Sequence, residues 1–192
     1  MNTPNTAVMD FLLNRRSRIF KTLTAPVPSD DEMIPLLTAA ARVPDHGVLQ
    51  PWRFIVLRGD ALLRLGELTK VRGEALEIEP EKIEKTADMF ATANLIVAVV
   101  SAPHSLERIP EVEQLYSAGA ACLSLLNAAQ ASGWGANWIS GWTSHDREFI
   151  REGLGLSSEE TIAGFIHIGT EKFGPKERRR PDMATLIEWV TD

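Results

Sequence analysis

Leu95-Ile96-Val97-Ala98-Val99-Val100 is an unbroken apolar run between Asn94 and Pro103. It is of strand length and far too short to span a membrane. A strand without polar alternation is buried on both faces, so this run predicts the centre of a sheet with layers on either side. Outward from it, Trp52 to Arg58 alternates aromatic and β-branched residues with Arg and reads as a strand turned by Gly59-Asp60. Trp134 to Ile139 and Thr161 to Thr170 read as two more. Helical periodicity marks Ala7 to Asn14, with Val8, Phe11 and Leu12 on one stripe. Ser29-Asp30-Asp31-Glu32 is a capping box opening a helix that runs to about Arg42 before Pro44. Capping accounts for that acidic cluster without a metal. Two charged helices broken around Pro80 fill Ala61 to Thr92, and a short one covers Asp146 to Glu152. Helices cluster between strands without strict βαβ alternation, which predicts an α+β fold, a mixed sheet wrapped by helices. No linker, repeat or low-complexity segment interrupts residues 1–192, so one domain is expected.

The longest predicted helix, about Val112 to Ser132, carries Leu115, Cys122, Leu123, Leu125 and Leu126 among Ala118, Gly119, Ala120, Ala121, Ala128 and Ala129. Nearly every face is apolar or small, so the helix must be enclosed, and a two-fold partner encloses it readily. An obligate homodimer with this helix near its interface is expected.

Composition excludes several function classes. Hydrophobic residues at 44% and charged residues at 24% are ordinary globular values. A net charge of −6 argues against a general affinity for nucleic acid, and the short Arg178-Arg179-Arg180 run does not reverse that. Cys122 is the single cysteine, so no internal disulfide forms; with no secretory pattern at the N-terminus, a cytoplasmic protein without a membrane segment is expected. In its Ala-rich helix Cys122 reads as a packed thiol. Gly133-x-Gly135 precedes a strand and is no dinucleotide fingerprint. There is no P-loop and no His-Glu-x-x-His. His46, His104, His145 and His167 lack metal-ligand spacing, so no metal site is assigned.

Two segments carry chemistry. Arg15-Arg16-Ser17 puts two guanidinium forks and a hydroxyl where a helix stops. Arg is the side chain best matched to phosphate oxygens, although a pair of arginines at a helix C-terminus also reads as solvated cations. Pro44-Asp45-His46 stops a second helix and leads through Gln50-Pro51-Trp52-Arg53-Phe54 into a strand. His46 either caps that helix or reaches a ligand; Trp52 and Phe54 read as core aromatics beside a site.

With Gly133-Trp134-Gly135-Ala136-Asn137-Trp138-Ile139-Ser140-Gly141 and the closing Ile168-Gly169-Thr170, these segments in this order resemble the nitroreductase family of FMN-dependent oxidoreductases, in its small YdjA-type branch. The likeness runs from about residue 8 to about residue 170. It implies a mostly antiparallel central sheet flanked by helices, in an intertwined homodimer with FMN at the subunit interface. It further implies that Arg15, Arg16 and Ser17 line the phosphate side of FMN. Arg42 and His46 match positions reaching the partner's flavin, and Trp138, Ile139 and Ser140 the stretch along its ring. Among the tail arginines, Arg179 is the one expected to complete the phosphate clamp. The activity implied is hydride transfer from NAD(P)H through FMN to nitroaromatics, quinones or similar small aromatic acceptors, by a ping-pong exchange needing no protein acid or base at the hydride step. The helices of 61–92, with Trp142, would wall the pocket. A non-catalytic FMN carrier or sensor, and a flavin-free interaction protein, are the competing readings.

Overall fold

The structure, a computed structural model, describes residues 3–105 and 108–191. Along the chain α1 (Thr6–Asn14) is followed by β1 (Leu23–Thr24), α2 (Asp30–Ala40), β2 (Trp52–Leu57), α3 (Asp60–Ala75) and α4 (Pro80–Ala91). Then come β3 (Ile96–Ser101), α5 (Glu111–Ala131), β4 (Gly135–Ile139), α6 (Arg147–Leu154) and β5 (Thr161–Glu171). Single 3-10 turns cover Phe20–Thr22, His46–Val48, Trp142–Ser144 and Met183–Thr185.

The apolar run around residue 97 is β3, and all six of its residues are buried. It lies between β2, from Trp52 opposite Ser101 to Leu57 opposite Ile96, and the long β5, with a register shift between Val99 and Val100. β5 also pairs with β4, from Gly135 opposite Gly169 to Ile139 opposite Phe165, and with the two residues of β1. The expected mixed, mostly antiparallel sheet is antiparallel in all four pairings among the described residues.

Strand alternation sorts the core into two layers. Val97, Val99, Ile166 and Ile168 face α2 and α5 through Met33, Leu36, Leu125 and Leu126. Ile96, Ala98 and Phe165 face the opposite way, toward Leu65 of α3, Phe90 of α4 and Phe149 of α6. Each large apolar side chain removed from water stabilises the fold by roughly 1.5–3 kcal/mol, so both sheet faces contribute strongly.

The helix starts follow the sequence. Ser29 Oγ accepts from the Glu32 N–H at 3.3 Å while Glu32 Oε2 accepts from the Ser29 N–H at 2.8 Å, closing the capping box. α2 ends at Ala40 rather than Arg42, because the Arg42 N–H turns back to the Ala39 carbonyl at 3.1 Å ahead of Pro44. Asp146 caps α6 through the Phe149 N–H, and Arg72 grips the same carboxylate at 2.7 and 3.0 Å, tying α3 to α6. No described helix is long and apolar enough to cross a membrane.

α5 departs from the expected full enclosure. Ala118, Ala121, Cys122, Leu125 and Ala129 are buried, whereas Val112, Leu115, Tyr116 and Leu123 stay exposed in one chain, Tyr116 at 70%. Burial pushes the Cys122 thiol up to about 12, so it packs as a neutral side chain.

His167 stands on β5 opposite Asn137, its ring 5.6 Å from that of Phe20 and its Nε2 buried without a partner. Burial lowers its pKa to about 4 from the ordinary 6.5. The folded value lies below the unfolded one, so the neutral ring's contribution is complete above about pH 6.5 and is lost as the pH falls toward 4. Urea unfolding at pH 7 and pH 4 should therefore show wild type losing about 3 kcal/mol more than His167→Phe. Parallel losses in the two proteins would place the acid sensitivity elsewhere.

Candidate cofactor site

α1 is capped by Asn5 Oδ1 on the Val8 N–H at 3.2 Å and closes with the Arg15 N–H on the Phe11 carbonyl at 2.8 Å. Arg15 itself takes ψ 143°, so the chain leaves the helix extended. That extended segment is pinned to the body. Gln130 at the end of α5 donates to the Arg16 carbonyl at 2.7 Å, the Arg18 N–H donates to the Ala136 carbonyl at 2.9 Å, and Asn137 donates to the Arg18 carbonyl.

The result is a cavity of about 250 Å³ lined by Arg15, Arg16, Arg18, Arg178 and Arg180, with Ser17, Ile19 and Asn137. Arg15 Nη2 donates to Ser17 Oγ at 3.2 Å, but its Nε is buried without a partner. Burial, then the neighbouring Arg180, Arg18 and Arg16, holds the Arg15 pKa below its ordinary value. Two carboxylates meet this cluster, Glu171 at 2.7 Å from Arg18 Nε and Glu177 at 2.7 Å from Arg16 Nη1. Five guanidinium groups against two carboxylates leave an excess of positive charge around one hollow, which suits a multiply charged oxyanion.

A second cavity, about 230 Å³, opens further along β4. Its floor is Ile139, Ser140 and Gly141; Phe20 and Trp142 form walls, and α4 supplies Lys82, Lys85, Thr86 and Met89. These α4 positions recur at helical spacing, so one stripe of the helix faces the cavity. Trp142 Nε1 donates to Thr86 Oγ1 at 3.2 Å, which fixes the indole wall. α3 does not line this cavity and instead backs α4. Asn137 of the first cavity and Ile139 of the second are two residues apart on one strand face, roughly 7 Å. The two hollows therefore share a floor, one cationic and one apolar with an ammonium rim.

The Pro44-Asp45-His46 segment lies against neither. The Asp45 carboxylate accepts from the Leu49 and Gln50 N–H groups at 3.1 and 2.8 Å and so folds the loop, in which Val48 and Gln50 sit at positive φ. A separate hollow of about 490 Å³ lies there, lined by Ala41, Val43, Asp45, Val48, Gln50 and Trp52. His46 Nδ1 is 2.7 Å from Glu113 Oε2 at the start of α5.

Residues 12–170 match the sequence profile of the nitroreductase family. The chain belongs to that family. YdjA of Escherichia coli K12, whose name marks it as a candidate NAD(P)H nitroreductase, is 32% identical over 84% of this chain and 87% of its own. A Haemophilus influenzae protein of the same description is 34% identical over the same shares. Among solved structures, a nitroreductase-like family protein from Bacillus cereus superposes with a TM-score of 0.79 at 24% identity, covering 99% of both chains. A Desulfovibrio desulfuricans member crystallised with FMN gives 0.73 at 24% identity, over 99% of this chain and all of the other.

Within this nitroreductase fold, Arg15, Arg16 and Ser17 come together in the cationic cavity, while Ile139 and Ser140 floor the apolar one. Trp138 alternates to the other face of the sheet, where a Cβ on Gly164 would come within 2.1 Å of its indole nitrogen. Only its backbone runs with Ile139. Arg42 and His46 line none of the three cavities. Arg179 does not line the cationic cavity either; its neighbours Arg178 and Arg180 do. The tail there has neither helix nor strand. No local pattern in the sequence sets Arg18, Arg178 and Arg180 apart, because the tail and the α1 exit meet only in the folded chain.

Titration with inorganic phosphate followed by calorimetry should show Arg178→Ala and Arg180→Ala each weakening binding about tenfold, the loss of one charge-assisted contact, with Arg179→Ala unchanged. An equal loss in all three would mean that general charge, and not the cavity, binds the anion.

Proposed function

We propose that this nitroreductase-family chain is an FMN-dependent oxidoreductase that draws on NAD(P)H to reduce nitroaromatics, quinones and similar electron-poor aromatics by a ping-pong exchange at a single site. The observation that carries this reading is the arginine cavity with its unpartnered Arg15 Nε, with a separate apolar hollow further along β4. A phosphate at one end and a flat ring at the other fit that pair. The named NAD(P)H activity of the Escherichia coli and Haemophilus influenzae relatives and the FMN of the Desulfovibrio protein agree with it.

In this reading Arg15, Arg16, Arg178 and Arg180 grip the phosphate and Ser17 adds a hydroxyl. The backbone of Trp138, Ile139 and Ser140 runs beside the ring. Phe20, Met89 and Trp142 keep water from it, and Lys82 and Lys85 favour negative charge at the rim. FMN, when bound, supplies the hydride relay between nicotinamide and acceptor. The chain's own work is then position and electrostatics.

The same reading makes the protein a cytoplasmic homodimer. α1 has no buried residue, yet Val8, Met9, Leu12 and Leu13 are exposed on it. The open face of α5 and a tail ending in Leu186, Ile187, Trp189 and Val190, with Trp189 84% exposed, add further apolar surface. Apolar surface of that extent suits a second copy. Arg42 and His46, remote from their own chain's cavities, would then serve the partner's flavin.

Purified protein should be yellow and should bleach anaerobically with NADH or NADPH, and double-reciprocal plots should be parallel. Intersecting lines would reject the shared site, and a flavin that neither nicotinamide bleaches would make the protein a carrier. Arg15→Ala and Arg16→Ala should each weaken FMN retention by about 2 kcal/mol; unchanged affinity in both would move the phosphate elsewhere. For the dimer, light scattering should find Tyr116→Glu shifted to monomer while wild type stays dimeric at micromolar concentration. A monomeric wild type would refute the assembly.

A further inference from the structure

One carboxylate is already seated at the edge of the arginine cavity. Glu177 Oε1 accepts from Arg16 Nη1 at 2.7 Å and from the Arg178 N–H at 2.8 Å, and Arg180 Nε lies 3.4 Å away. Arg16, Arg178 and Arg180 all line that cavity. One oxygen thus draws together groups from both sides of it, from the α1 exit and from the tail.

Glu177 belongs to a segment with no buried residue that follows β5. The segment is tied back by the Lys172 N–H on the Thr22 carbonyl at 3.0 Å, and it crosses the arginines above a hollow of about 320 Å³ bounded by Phe173, Pro175 and Lys176. Its glutamate is 73% exposed on the side chain. An ion pair that exposed is weak and easily exchanged. Glu171 holds Arg18 from the body of the fold, and Arg15 has no carboxylate at all among the described residues. The carboxylate therefore satisfies part of the cluster and leaves Arg15 open.

We infer that Glu177 is an internal stand-in for the cofactor's phosphate, holding Arg16 and Arg180 in the cofactor-free chain and giving them up when a phosphate monoester enters. This rests on the cofactor reading above and adds its regulation. A dianionic phosphate carries twice the charge of a carboxylate and has three free oxygens, so it can meet Arg15, Arg16 and Arg180 together where Glu177 meets two. Until it arrives, Glu177 limits repulsion among the guanidinium groups and keeps the tail against the body. Entry of the anion frees Glu177 and exchanges one strap contact for several cofactor contacts.

The test compares wild type with Glu177→Gln and Glu177→Ala, all stripped of flavin, by quenching of FMN fluorescence and by thermal melting with and without inorganic phosphate. The inference predicts five- to tenfold tighter FMN binding in both variants. It also predicts a lower melting temperature without anion, and a larger rise on adding inorganic phosphate than wild type shows. Weaker or unchanged FMN affinity in both variants would overturn it and make Glu177 a clasp that holds Arg178 and Arg180 over the cofactor. If no protein takes up FMN, the cofactor reading fails, and the phosphate-dependent melting still decides the role of Glu177: an equal rise in all three proteins refutes it.

Discussion

Guanidinium groups crowded around a small hollow repel one another, and that repulsion is the constraint around which this molecule's proposed chemistry is arranged. Burial and the charges of Arg180, Arg18 and Arg16 all act against Arg15 holding its proton. The fold tolerates this because the arginines are not free to move apart. Arg16 and Arg18 sit on backbone fixed by Gln130, Ala136 and Asn137, and the tail that brings Arg178 and Arg180 leaves directly from β5. Two glutamates relieve part of the strain. The remainder is a standing preference for an anion, built from packing that is set elsewhere in the sheet.

The sheet decides where that preference leads. β5 pairs with β3, β4 and β1, so the exit of α1, the floor under both cavities and the root of the tail meet along a single strand. One face of the sheet is filled by α2 and α5 and carries no cavity of this pair; on the other, α4 stands off far enough to leave the apolar hollow beside Ile139. α5 divides its own surface in the same way. Its inner half packs the core, and its outer half, with Leu115 and Tyr116, is exposed.

Much of this was legible in the sequence where one physical signal acted alone. The unbroken run around Val97 could only be a doubly covered strand, and the Ser29 capping box and the break at Pro80 fixed helix ends without tertiary help. The likeness to nitroreductases rested on ordered motifs and agrees with the family match. What escaped depended on pairing at a distance. β1 has two residues and exists only because β5 runs past β3, so no local alternation could reveal it. The resemblance puts Trp138 in the stretch along the ring, and the strand period, visible only once the register is known, turns its indole onto Gly164 and leaves its backbone beside Ile139. Arg179 was singled out by the resemblance alone, whereas its two neighbours Arg178 and Arg180 line the cavity.

The central claim is that these arginines hold a dianionic phosphate. The most direct measurement is the phosphorus-31 resonance of FMN bound to the protein, followed from pH 7.5 to 5.5. A free phosphate monoester takes up a proton near pH 6. Held among Arg15, Arg16, Arg178 and Arg180, the phosphate should stay doubly charged and its resonance should not move across that range. A bound signal that titrates like free FMN would contradict the account.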